Sequence, residues 1–292
     1  MRGRSLIAAV AAAAALPLAA QAPATGRPAG VEPAQRLVRD VIYNELHDRE
    51  RDSHWEYRSA CVSTAKNLVR EQVETAEGPV FRVVAENGSA LDAAEQEKED
   101  QRLQAYVNDP AAIARAERAH EEDENHLAVA MQVVPEALLF NYEEAPAGKT
   151  VQIAFRPNPA YVPTGYEAKI VQALSGTMTV DLQTKRLVEM HGVVAQRVDF
   201  GFGLLGRVDQ GGWFRIHRQQ VSAQHWKTDL VDVHLQAKVL LLKTVSKDQR
   251  EVRSDFRPVP FGTTPEQARA MLEDSPEPNV QADLARVLPT QR

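Results

Sequence analysis

From Val231 to Leu241 every second residue is apolar (Val231, Val233, Leu235, Ala237, Val239, Leu241), with Asp232, His234, Gln236 and Lys238 among those between. Successive side chains of an extended chain point to opposite faces, so this period belongs to a strand with one apolar and one polar side. The apolar side has to be covered. The pattern recurs: Met178, Val180 and Leu182 alternate with Thr177, Thr179 and Asp181, and Val188, Met190 and Val194 continue it in the next segment. Strand signals run through Leu138 to Tyr142, Thr150 to Phe155, Thr177 to Leu182, Leu187 to Phe200, Trp213 to Val221, Trp226 to Thr244 and Arg250 to Phe256. Together they predict an antiparallel meander, two-faced, within an α+β fold. What lies against its apolar face is the functional question.

The first 22 residues read as an export signal. Arg2 and Arg4 form a basic start, Ser5 to Leu18 is almost uninterruptedly apolar, and Ala20-Gln21-Ala22 fits a small-x-small cleavage site. Cleavage after Ala22 gives a periplasmic or extracellular protein, and no cysteine near that site can receive a lipid. The apolar run falls short of the roughly 20 residues a membrane span needs, and no second one follows, so no integral span is expected in the mature chain. The chain has 34 Lys+Arg against 40 Asp+Glu, a net charge of −6, and loss of Arg2 and Arg4 takes it to −8. That balance argues against a nucleic-acid partner, which needs clustered positive charge. Cys61 is the only cysteine, so an oxidising compartment brings no internal disulfide.

Residues 23–33 form a Pro/Ala/Gly leader with no apolar face to bury. A single domain is expected over 34–262. It starts with an amphipathic helix carrying Leu37, Val38, Val41, Ile42 and Leu46 to about Arg49. Two or three strands follow between His54 and Leu91, with turns at Gly78-Pro79 and Asn87-Gly88. Residues 91–134 are an alanine- and charge-rich helical insert, divided by Pro110 into helices of about Asp92 to Tyr106 and Ala111 to Met131. Over 263–292, Thr264-Pro265-Glu266 caps a short helix to about Leu272, and a loose Pro-rich tail is expected from Ser275.

The sequence offers chemical motifs whose contexts fail. Gly201, Gly203 and Gly206 satisfy G-x-G-x-x-G, but a strand with Trp213 and Phe214 follows where a dinucleotide site needs a helix. These glycines instead suit a sharp bend or bulge in the sheet. His120 and His126 stand six apart rather than four, although Glu122 and His126 share a helix face at i,i+4. His191, His217, His225 and His234 fall among the strands, where only register decides whether they meet. Cys61 lacks a nucleophile signature, no serine elbow is present, and no carboxylate pair is selected by spacing. The reading is therefore of a non-enzymatic protein, with no catalytic residue, metal site or cofactor.

Phe200-Gly201-Phe202-Gly203-Leu204-Leu205-Gly206-Arg207-Val208, then Gly211-Gly212-Trp213-Phe214, Trp226 and Ser254-Asp255-Phe256-Arg257 form the most distinctive stretch. With the order of parts over residues 34–258, this resembles the outer-membrane lipoprotein-sorting superfamily of Lol-type periplasmic carriers. The stretch itself is similar to uncharacterised exported bacterial members placed near those carriers. The resemblance implies a curved antiparallel half-barrel with covering helices, and transfers no functional residue by position. One expectation is that the concave sheet holds an acyl chain, a lipid or a lipoprotein. Its lining would be Met178, Val180, Met190, Val233, Leu235, Val239 and Leu241, with Leu127 and Met131 from the insert. The other is an envelope structural or interaction protein with a filled core and a protein partner.

Overall fold

The computed structural model describes residues 32–51, 54–64, 66–143, 148–200, 206–239, 243–275 and 279–287. Helix α1 (Ala34–Arg51) leads into β1 (Trp55–Ser63), β2 (Asn67–Val73), β3 (Val80–Glu86) and the two-residue β4 (Ser89–Ala90). Asn87 and Gly88, with φ of 50° and 96°, make the tight hairpin between β3 and β4 that the sequence predicts. The insert is α2 (Ala93–Val107) and α3 (Pro110–Ala137). Asp92 and Glu95 close a capping box on α2, while Asp109 caps α3 with Pro110 in its first turn. Pro135 does not end α3, which continues to Ala137.

The second half runs β5 (Leu138–Tyr142), β6 (Thr150–Pro157), α4 (Tyr166–Gln172), β7 (Leu174–Asp181), β8 (Arg186–Val194), β9 (Val198–Phe200), β10 (Gly206–Val208), β11 (Trp213–Gln220), β12 (Trp226–Val239) and β13 (Lys243–Pro258). Two helices close the chain, α5 (Pro265–Glu273) and α6 (Val280–Val287). The strands make one open antiparallel sheet in the order β4-β3-β2-β1-β13-β12-β11-β8-β7-β6-β5, with β9 and β10 paired off this path. Val239 pairs with Lys243, so β12 and β13 are neighbouring antiparallel strands. Leu241 lies outside the described residues.

The sheet does not bury the same face along its width. At the β5–β8 end, Val151, Ile153, Phe155, Met178 and Val180 are buried against Leu37, Val38 and Val41 of α1; we call this side the α1 face. At the other end Ala60, Val69 and Ala85 pack on the opposite side against Val280, Leu284 and Val287 of α6. Val73 and Val80 pack with Leu103 of α2 and with Ala268 and Leu272 of α5. The tail from Ser275, expected to be loose, thus carries a helix that closes a core. Its apolar residues at i, i+4 and i+7 make one stripe, and β1 and β2 provide the surface it needs. The change of buried side falls between β12 and β13. Val231 on β12 lies on the α1 face, yet its partner there is Glu251, while Val252 turns to α6.

Candidate functional site

The register assembles the α1 face row by row. Ile153, Met178, Met190, Ile216 and Val231 are direct neighbours across β6, β7, β8, β11 and β12. In the next row stand Phe155, Gly176, Gly192, Phe214 and Val233. Gly192 leaves room for rings. A Cβ on Gly192 would stand 2.5 Å from Phe214 Cε1 and 3.4 Å from Phe155 Cζ, so these rings cover its backbone. Leu235 lies over Gly212 in the same way, and joins Val194, Val198, Phe200 and Val208.

The α1 face is apolar from β6 to β12 but unevenly covered. Over β6–β8 it is a filled core, with Val180 and Ile153 wholly buried. Over β11 and β12, Phe214, Ile216, Val231, Val233 and Leu235 are only half-buried, and no described helix runs along either strand. The result is a partly covered apolar strip beside α1, which we call the trough. Glu45, buried near the end of α1, borders it by accepting from Leu187 N at 3.2 Å and pairing with Arg186 and Arg218.

Beyond β12 the same face becomes polar. Arg253, Ser59 and Arg70 stand opposite one another on β13, β1 and β2. Ser59 Oγ and Arg253 Nε donate to Glu251 Oε1, each at 2.8 Å. Burial pushes the Glu251 carboxyl up, but the Arg253 charge, those two hydrogen bonds and the Arg70 charge hold it below the usual carboxylate range. Arg253 lies over the Tyr57 ring, and burial pushes the Tyr57 hydroxyl up to about 12, so it keeps its proton at neutral pH. Gln72 Nε2 donates to the Tyr57 hydroxyl at 2.6 Å. Glu74 is held by Lys227 at 3.2 Å and by the Trp55 backbone N–H. Arg70 lies over the Phe81 ring, and its buried Nε has no hydrogen-bond partner among the described residues.

The lining residues expected from sequence are divided by this arrangement. Met178 and Val180 belong to the filled core and Met190 packs at its edge, whereas Val233 and Leu235 line the trough. The side chains of Val239 and Leu241 lie outside the described residues. Met131 on α3 is half-buried, and Leu127 is 45 % exposed. The insert helix packs on α1 and α4 rather than over β11 and β12. Phe214 and Ile216 were legible as alternation in their own strand, but nothing in the sequence tied them to Val233. Arg70, Ser59 and Arg253 were not singled out from the sequence, because the inversion of the buried face that brings them together is a property of the pairing.

On the opposite side of the central strands, Gln152, Thr177, Thr179, Glu189, His191 and Arg215 line a shallow depression of about 290 Å³. Register keeps the strand histidines apart: His217 pairs with Asp229 at 2.6 Å, His234 with Asp248, and His225 with Ser222 at 2.8 Å. Among the described residues no three His, Cys, Asp or Glu side chains are placed to hold a metal. Gly201 and Gly203 of the glycine motif lie outside the described residues, and Gly206 opens β10, with β11 next in the chain rather than a helix. No described helix is long and apolar enough to cross a membrane. No family model, curated protein or solved structure matches the chain.

Proposed function

We propose that this is an exported, non-enzymatic binding protein whose open sheet acts as a half-barrel and holds an acyl chain, of a lipid or lipoprotein, in the trough beside α1. The observation that carries the reading is the half-buried set Phe214, Ile216, Val231, Val233 and Leu235, along which no described helix runs while the adjoining part of the face is filled. An extended apolar floor gains about 25 cal/mol for each Å² it shares with a hydrocarbon chain, and needs no catalytic group to do so. The ligand thus lies next to the helices rather than beneath them.

The test is titration of the mature protein with the fluorescent apolar probe 1-N-phenylnaphthylamine. Saturable binding near one per chain is expected, with Val233→Glu weakening it at least tenfold and Leu127→Glu leaving it unchanged. Absence of saturable binding in the folded parent protein overturns the reading.

A second reading, an envelope interaction module with its function on the surface, has its own support. Leu127, Val162, Tyr166 and Ile170 are exposed on α3, α4 and the segment before α4. Apolar side chains gathered on a surface mark interaction sites. Equal loss of probe binding in the Leu127 and Val233 variants would favour it.

A further inference from the structure

We infer that the trough's ligand is a single-chain amphiphile with an anionic head, the head being received by Arg70 beside Ser59 and Arg253. This rests on the apolar-ligand reading and specifies its chemistry. The trough does not end on a wall. It passes from Val231 to Glu251 and Cys61 on the same face, and one position further along the strands stand Arg253, Ser59 and Arg70.

The charges at that end do not cancel. Glu251 is taken by Arg253 and Ser59, and Glu74 by Lys227. Arg70 remains, half-buried over Phe81 and within the field of Glu251; among the described residues it has no ion pair and its Nε no hydrogen-bond partner. A guanidinium held against a ring presents a planar fork of N–H donors, the geometry that receives a carboxylate or phosphate. Tyr57 and Gln72 stand one step further along the same face. From Arg70 on β2 to Ile216 on β11 the sheet is crossed in four strand steps. At the usual strand spacing that is about 19 Å, a length suited to one extended acyl chain lying across the strands.

The experiment is displacement of 1-N-phenylnaphthylamine by three probes of one chain length, each below its micelle concentration: palmitate, hexadecyl phosphate and 1-hexadecanol. At least one anion should displace the dye with a midpoint tenfold or more below that of the alcohol, and which anion wins identifies the head as carboxylate or phosphate. Arg70→Gln should bring that ratio under about threefold without moving the alcohol midpoint. Arg115→Gln, a change at an exposed cation on α3, should leave the ratio intact. Equal displacement by alcohol and anions in the parent protein overturns the anionic-head assignment and leaves the trough standing. An Arg70 variant that loses the alcohol as well, or an Arg115 variant that loses the preference, also overturns it. Failure of all three probes to compete removes the apolar-ligand reading itself.

Discussion

His126 on α3 shows how one side chain joins two elements. Its Nδ1 lies 2.7 Å from Glu167 Oε1 on α4, and Glu122 stands one helical turn back at 3.8 Å. The hydrogen bond to Glu167, followed by the charges of Glu167 and Glu122, raises the imidazole above its ordinary 6.5. A raised histidine contributes fully below the unfolded value, and its contribution fades as pH rises through the folded one. By NMR, His126 should titrate above 6.5, and Glu167→Gln should bring it back towards that value. At Gly192 an added Cβ meets the Phe214 ring, which can swing aside, whereas at Gly176 it would stand 2.0 Å from the His191 carbonyl oxygen, which cannot. Gly192→Ala should therefore cost about 1–3 kcal/mol. Gly176→Ala should exceed that, at about 4 kcal/mol or more, in urea unfolding. Only the neighbouring strands show what the missing side chains at these two positions make room for.

Among the elements, α6 departs furthest from its reading in sequence. Its Pro-rich approach reads as loose chain, but Val280, Leu284 and Val287 complete the core over β1 and β2. Asp283 adds a polar fastening, with Arg58 at 3.5 Å and Arg286 at 3.3 Å. Leu284→Ala should cost about 2 kcal/mol through lost burial and the cavity left behind. Gln281→Ala on the exposed side should stay within about 0.5 kcal/mol. Urea midpoints at unchanged slope would check both. By contrast α1, α2 and α5, and the start of α3, were legible to within about two residues, because caps at Asp92, Asp109 and Thr264 and the apolar period of α1 are local signals, whereas α3 runs past its expected end at Met131 to Ala137. An eight-residue helix carries too few turns to announce itself without the surface it covers.

At the scale of the whole molecule, one sheet buries opposite sides at its two ends, and the exchange between β12 and β13 sets an apolar trough beside the half-buried arginines Arg70 and Arg253. Each strand's own alternation is written in its sequence, as Val231, Val233 and Leu235 against Asp232 and His234 show. So are the capped starts of α2, α3 and α5 and the α+β character, since period, caps and turns act over a few residues. Which alternating face turns inward is decided only when strands pair. Val69 and Arg70 are equally eligible until Val69 meets Ala60 under α6, and Arg70 is then carried to the side of Ser59, Arg253 and the trough. The reason is physical: a strand's two faces are related by a half-turn about its own axis, and only the burial of its neighbours chooses between them.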